Sequence, residues 1–291
     1  MDGNYNAENI YFDENFIFTE NVGTVVVPST GNIEVEAAGM NLKSFLASIF
    51  AKEQNPEEIT QPSVSLTASN NKSYEVGTEV TPTYSATFDD GSYQYGPDPT
   101  GAIVSTWSVT DTNGNSSAES NGSFPKFTVE DTTNYTITAK ATHTDGSYPK
   151  TNIGNDYIEG QIKGGTKSAT SAAITGYRKT FYGTLTTKAD LTSNVIRGLA
   201  KSSTYALSNG KTFSITVPVG AMRVVFAYPD TLRDVTSVID VNGMNAEIVS
   251  SFIKTTLNVE GANSHTAIGY KVLYLDFAEA NDKENTFTVK I

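Results

Sequence analysis

The stretch at residues 134–148, NYTITAKATHTDGSY, alternates apolar and polar residues and then ends in an Asp-Gly pair. Alternation with a period of two is typical of a β-strand that buries one face. Asp-Gly is typical of a tight turn, because glycine accepts positive φ and the Asp side chain bonds to neighbouring backbone. The stretch therefore predicts a strand that runs into a turn at the end of a β-sheet.

The end of this stretch has an earlier counterpart in the chain. ATFDDGSY at 86–93 shares its frame with ATHTDGSY at 141–148, but the residues that follow the two copies differ. Duplicated domains would match beyond eight residues, so this favours two similar turns of one folded unit, at the same end of a sandwich. The alternative is a Ca²⁺ site built from Asp89, Asp90 and Asp145, although neither copy contains the D-x-D-x-D run of common calcium loops. We expect no bound metal.

The charge of the chain is uneven. Its 291 residues hold 32 acidic and 20 basic side chains; residues 1–60 carry a net charge of −8, residues 61–165 carry −7 and residues 166–291 carry +3. Phosphate groups are bound by clustered Lys and Arg. We therefore expect neither nucleic acid nor an anionic membrane as a partner.

Cysteine is absent from the sequence, which excludes disulfides and thiolate zinc sites. The first residues lack the basic and apolar regions of a signal peptide, and no apolar run has the length of a membrane span, about 18–20 residues. We expect synthesis in the cytoplasm without a signal peptide.

The first 60 residues are predicted to form short strands and one helix. MNLKSFLASIFAKE at 40–53 has apolar residues at helical spacing, Asn41 as a candidate N-cap and Pro56 after its end. The helix either packs on its own domain or lies at the symmetry axis of an oligomer. The second interpretation makes this segment an anchor and assigns oligomerisation to its apolar stripe, Leu42, Phe45, Leu46, Ile49 and Phe50.

The rest of the chain predicts an all-β fold. Residues 61–165 contain about seven short alternating strands, with Trp107 on a central one, which is typical of an immunoglobulin-like sandwich with the Trp ring between the sheets. A link at 160–173 leads to residues 166–291, which predict a second β-sandwich with one short helix, capped by Thr192 or Ser193.

Residues that could carry catalysis are few. The only histidines are His143 and His265, and the sequence has no G-x-S-x-G elbow, no H-E-x-x-H motif and no phosphate-binding glycine loop. We interpret His143 as a half-exposed strand residue and His265 as the rim of a strand. We expect no catalytic residues and no cofactor.

Tyrosines in the third segment offer one possible ligand site. Aromatic rings stack on sugars, yet Tyr is also a favoured strand residue whose ring packs in the core while its hydroxyl stays solvated. Packing is the favoured interpretation because Tyr270 and Tyr274 recur at even spacing in one strand. The glycan-contact hypothesis concerns Tyr177, Tyr182, Tyr205 and Tyr228.

Several segments resemble the virion structural proteins of tailed bacteriophages, of the head-fibre or tail-appendage type found in gut phages that include the crAss-like group. VIRGLAKSS at 195–203, the run VPVGAMRVVFAYPDTLRDVTSVIDVNGMNAEIVSSF at 217–252 and TAIGYKVLYLDFAEAND at 266–282 are similar to the C-terminal domain of such proteins. Residues 63–97 with TWSVTDTNG at 106–114 resemble the immunoglobulin-like domain that precedes it. GMNLKSFLASIF is similar to the short helix before that domain.

This resemblance implies a head fibre, a capsid decoration protein or a tail appendage, without catalytic residues. Its implied partners are other copies of the chain, as a homotrimer, other virion proteins of the capsid or tail, and a host-surface glycan. A carbohydrate-binding adhesin without a primary assembly role is the alternative. An enzyme of polysaccharide breakdown ranks third, because no pair of carboxylates stands out.

Overall fold

The structure is a computed structural model that describes residues 13–18, 33–35, 38–50, 53–203 and 210–291. Strands dominate these ranges, and the two α-helices within them are short. The predicted all-β class, with two successive sandwiches, is confirmed.

Within the described part of residues 1–60, the chain forms one strand pair and one helix. β1 (Phe16–Phe18) pairs antiparallel with β2 (Ile33–Val35), and α1 spans Leu42–Phe50. The side-chain Oδ1 of Asn41 accepts a hydrogen bond from the Ser44 backbone N–H at 2.8 Å, as the predicted N-cap requires.

The first sandwich is built from the next fourteen strands. They are β3 (Ile59–Thr60), β4 (Ser63–Ala68), β5 (Ser73–Glu75), β6 (Glu79–Val80), β7 (Thr83–Asp89), β8 (Ser92–Tyr93), β9 (Val104–Asp111), β10 (Ser116–Ser117), β11 (Asn121–Ser123), β12 (Phe127–Thr128), β13 (Asn134–Tyr135), β14 (Ile137–His143), β15 (Gly165–Thr170) and β16 (Ile174–Tyr177).

Two sheets face each other across its core. One has the strand order β10-β9-β14-β15 and the other β11-β7-β4, an arrangement of the immunoglobulin type. Val109, Ile137 and Tyr84 are among the buried residues between the sheets. Trp107 lies on β9 and packs against this core, but it is only half-buried.

The first sandwich is longer than the sequence suggested. β15 pairs antiparallel with β14, and β16 pairs with β13 and, in parallel, with β5. Ile174 on β16 is fully buried in the first core. The predicted link at 160–173 and the boundary after residue 165 were therefore wrong, because the small polar residues there form strands and the unit continues to Tyr177.

The described residues of the second sandwich, which leave out 204–209, form nine strands. They are β17 (Phe181–Leu185), β18 (Lys201–Ser202), β19 (Thr212–Val217), β20 (Arg223–Pro229), β21 (Ser237–Asp240), β22 (Ala246–Glu247), β23 (Ile253–Val259), β24 (Ile268–Asp276) and β25 (Asn285–Lys290). Short 3₁₀ turns occur at Ile158–Gly160, Val249–Ser251 and Ala262–Ser264.

Its sheets have the orders β18-β17-β20-β24-β23 and β19-β25-β21-β22. One core fills the space between them, and a second covers the outer face of the five-stranded sheet beneath α2 (Ser193–Arg197). β20 is consequently buried along its whole length. Thr192 is the N-cap of α2, since its Oγ1 accepts from Val195 N–H at 3.3 Å.

Candidate functional site: the junction of the two sandwiches

The predicted oligomerisation stripe does not lie on one free surface. Phe45 and Ile49 are 5% and 2% exposed, and the Phe45 ring lies 4.8 Å from that of Phe16 on β1. Leu46 is 41% exposed and Leu42 is half-buried, while the side chain of Phe50 lies outside the described residues. Packing within the chain therefore uses Phe45 and Ile49 and leaves Leu46 available to a partner.

Two of the predicted glycan-contact tyrosines have covered rings. Tyr228 is 1% exposed, and its hydroxyl accepts a hydrogen bond from Val235 N–H at 3.1 Å. Tyr177 is 8% exposed, and burial raises the pKa of its hydroxyl. Tyr182 is half-buried against the second core, and Tyr205 lies outside the described residues. The buried rings of Tyr177 and Tyr228 present no face on which a sugar could stack.

The two Asp-Gly-Ser-Tyr copies meet at one end of the first sandwich. The Tyr93 hydroxyl of the first copy donates to the Ser147 carbonyl of the second at 2.8 Å and accepts from Ile162 N–H at 3.1 Å. They are therefore two turns of one folded unit.

The aspartates of these turns bond to backbone. Asp90 accepts from Thr100 N–H at 2.7 Å, and Asp145 accepts from Gly164 N–H at 2.6 Å. Asp89 accepts from Gly91 N–H at 2.8 Å, closing its turn. Across the described residues, no three His, Cys, Asp or Glu side chains gather closely enough to hold a metal ion.

His143 is buried, contrary to the half-exposed position predicted for it. It is 3% exposed, its ring lies 5.3 Å from that of Phe88, and its Nδ1 donates to the Thr144 carbonyl at 2.9 Å. The inward face of β14 is its odd-numbered face, so the parity of the strand turns His143 into the sandwich.

The two sandwiches are joined through backbone contacts near Gly77. The Ala262 backbone N–H donates to the Val76 carbonyl at 2.8 Å, and the Asn263 side-chain Nδ2 donates to the Gly77 backbone carbonyl at 3.0 Å. Gly77 has φ +92, and a Cβ there would lie 2.1 Å from the Ala262 carbonyl oxygen. Only glycine, which lacks a Cβ, allows these two segments of the chain to approach this closely.

A buried carboxylate lies beside these backbone contacts. Glu75, on β5, is 9% exposed and accepts from Arg197 Nη1 at 2.7 Å and from Lys179 Nζ at 2.9 Å. The same Arg197 nitrogen donates to the Glu260 carbonyl at 2.6 Å. A carboxylate of the first sandwich is thus compensated by an arginine from α2 of the second and by a lysine between them, as a buried charge requires.

A second set of ion pairs lies beside Glu75. Arg178 makes a bidentate pair with Asp131, at 2.9 and 2.6 Å, and donates from Nη1 to the Thr266 carbonyl at 3.0 Å. The Arg178 hydrogen bond holds the pKa of Asp131 below its ordinary value. His265, predicted only as a strand rim, lies 2.8 Å from Glu130. Side chains of the first sandwich thereby contact Arg178, in the segment between β16 and β17, and His265, in the loop before β24.

These junction residues were not found from the sequence. Their partners lie up to 186 residues apart, and no local motif marks them. What the arrangement can do is mechanical: backbone contacts at Gly77 and two groups of ion pairs fix the orientation of one sandwich against the other.

No family model matches the chain, and no curated protein or solved structure matches it either. Of the helices that the structure describes, none is long and apolar enough to cross a membrane.

Proposed function

We propose that the chain is a non-enzymatic structural protein of a tailed-phage particle, acting as a head fibre, a capsid decoration protein or a tail appendage. Residues 1–60 join the protomers as a homotrimer and bind capsid or tail proteins. The two sandwiches project outward, and the C-terminal one comes within reach of host-surface glycans.

The junction is the observation that carries this proposal. Neighbouring domains move relative to each other by default unless their interface holds them. Here the linker between β16 and β17 is only residues 178–180, and Arg178 and Lys179 within it are both ion-paired to the first sandwich. A stiff connection of this kind suits a spacer that holds its outer domain away from a particle.

The front segment supports the assembly part of the proposal. Ile17 on β1 is 66% exposed and Leu46 on α1 is 41% exposed, while Phe45 and Ile49 are buried within the chain. These two exposed aliphatic side chains are available for contact with another protomer.

The histidines support a role without catalysis. His143 is enclosed in the first core, and His265 is paired with Glu130 at the junction. Each therefore has a structural use in the fold. The resemblance of the sequence to virion proteins agrees with that assignment.

Solution mass tests the assembly part. Leu46→Asp places a charge on the exposed side of α1, whereas Phe45→Asp would disrupt the buried packing of the front segment and would be harder to interpret. We expect the full chain to have three times the protomer mass of 31.2 kDa, or a multiple of that trimer mass, and Leu46→Asp to have less than three times the protomer mass. The control is Ser44→Asp, which adds the same charge to an exposed position of the same helix and should leave the mass unchanged. A Leu46→Asp chain with the same mass as the unaltered protein would contradict the proposal that the front segment joins the protomers.

A further inference from the structure

β23 is a long strand at the open edge of the five-stranded sheet. It pairs with β24 on one side, from Ile253 opposite Tyr274 to Val259 opposite Ile268, and the sheet ends there. In an antiparallel pair, alternate residues direct their backbone N–H and C=O groups away from the partner. Within the part of the chain that the structure describes, residues 253–258 make no backbone hydrogen bond on that outer side.

The other sheet edges formed by the described residues are short or covered. β10, β18 and β22 have two residues each. The longer edges β15 and β19 lie beside β4 and β17 of the facing sheets. β23 has seven residues, and those from Ile253 to Thr256 are exposed, with Ile253 at 51%. Long exposed edges of this kind are sites of pairing with another chain.

The side chains of β23 border a cleft on each face of the sheet. One cleft, of about 350 Å³, is lined by Lys254, Lys271 and Asp234, and the other, of about 340 Å³, by the charged Asp190 and Arg223 as well as by Leu191, Leu257 and Tyr274. A strand added to an edge directs alternate side chains toward the two faces. The added strand therefore meets Ile253 and Leu257 on one face and Lys254 on the other.

We propose that β23 pairs antiparallel with β23 of a second copy of the chain, about a two-fold axis at Thr255. In this register Ile253 lies opposite Leu257, so the apolar side chains of the two strands lie beside each other on one face of the joined sheet. Thr255 lies opposite itself, and β-branched residues are favoured in such pairs.

Charge selects this register. Pairing centred on Lys254 would place two ammonium groups opposite each other, which is unfavourable, whereas pairing centred on Thr255 places Lys254 opposite Thr256. A shift by one residue across the pair would put apolar side chains on the polar face. Pairing centred on Thr256 would place Ile253 opposite Val259. Val259 is fully buried, and the residue after it, Glu260, donates its backbone N–H to Ser193 Oγ at 3.0 Å, so this end of the strand is not free to pair.

Net charge also favours contact between copies at this end. Residues 178–291 carry twelve basic and ten acidic side chains, whereas residues 1–60 carry ten acidic and two basic. Two C-terminal sandwiches can therefore approach without the repulsion that separates two acidic fronts. A two-fold contact joins only two copies, so a trimer would use it to contact a neighbouring trimer.

A charge exchange at Thr255 tests the pairing. The full chain carrying Leu46→Asp serves as parent, so that assembly through the front does not mask the result; we expect it to form a reversible dimer in sedimentation analysis. Thr255→Lys and Thr255→Glu each place like charges at the axis and should weaken association about tenfold. A mixture of the two variants in equal amounts should recover the dimer, because Lys then faces Glu. A variant that merely lost stability would not be rescued by mixing.

Two control variants distinguish self-pairing of β23 from contact at a different strand or with a different protein. Ser214→Lys alters an exposed position of β19 and should leave the dimer intact. Lys254→Glu should also leave it intact, because Lys254 lies opposite Thr256 in the proposed register; loss of the dimer would indicate a different register or contact and overturn pairing centred on Thr255. Amide hydrogen exchange over 253–258 should slow as protein concentration rises.

A parent chain that stays monomeric, or a mixture of the Thr255 variants that stays dissociated, would overturn the inference. Pairing through β23 does not depend on the proposed function. Failure at Thr255 leaves the Leu46 result standing. If Leu46→Asp stays trimeric, the same Thr255 variants and their mixture are compared for loss and recovery of association between trimers.

Discussion

Arg197 Nη1 lies 2.7 Å from Oε1 of Glu75, although 122 residues separate the two in the chain. The arginine comes from α2 in the second sandwich and the glutamate from β5 in the first, so one ion pair links two separate cores. The arrangement makes Glu75 the most heavily buried carboxylate of the junction, with 9% of its side chain exposed.

Removal of the Glu75 charge should open the junction. Glu75→Gln leaves Arg197 and Lys179 without their anion, and loss of one partner of a buried pair costs about 3 kcal/mol of unfolding free energy. Glu79→Gln is the matched control, because its pair with Lys126 is exposed on both sides and should be worth under about 1 kcal/mol. Urea unfolding of both variants checks the difference; equal losses would mean that the buried pair adds no more to stability than the exposed pair.

Gly77→Ala should separate the sandwiches without unfolding either of them. The added Cβ would lie 2.1 Å from the Ala262 carbonyl oxygen, so one of the two segments must move. Gly114 also has positive φ, +87, but has no atom within 4 Å of its virtual Cβ, so Gly114→Ala isolates the backbone strain of about 1–2 kcal/mol. Small-angle X-ray scattering should show a larger or more variable shape for Gly77→Ala alone. Identical scattering from the two variants would speak against a tight junction.

Acid should weaken the junction through Asp131. The Arg178 hydrogen bond lowers the pKa of Asp131 from its ordinary 3.8. A lowered folded-state pKa gives stability that is present above the unfolded value and is lost as pH falls through the folded value. The unaltered chain should therefore exceed Asp131→Asn in stability at neutral pH, and the gap should narrow below about pH 4. Thermal unfolding across this range measures the gap, and a constant gap would contradict the assignment.

Thr192→Ala should destabilise α2 by about 1 kcal/mol, because the Val195 N–H loses its side-chain acceptor. Thr186→Ala is the control, since Thr186 is exposed in the bend before the helix. Chemical denaturation followed by circular dichroism compares the two. Equal effects would argue that the cap does not stabilise the helix.

Local features of the fold were predictable because neighbouring residues determine them. The period-two pattern indicated β7, β14 and β19, and the caps at Asn41 and Thr192 were among the predicted candidates. The predicted half-exposure of His143 was wrong for a local reason. The pattern indicated its strand but did not assign the inward face, although Ile137, Ala139 and Ala141 lie on the same face of the strand as His143.

Features that depend on distant residues were not predictable. The small and polar residues of KSATSAA at 167–173 predict a linker. Part of this segment forms β15 instead, because it pairs with β14, which is distant in the sequence. Glu75 stands in an ordinary strand sequence, and nothing near it indicates an arginine 122 positions away. The junction follows from how two cores pack together, which composition and spacing do not encode.

Particle labelling tests the central proposal most directly. Antibodies raised against the full chain would be applied to purified tailed-phage particles from a lysate that contains it, and the particles viewed by immunoelectron microscopy. We predict gold at fixed positions on the outside of intact particles, with the chain retained through particle purification. Recovery of the chain only among the free soluble proteins, with unlabelled particles, would contradict the account.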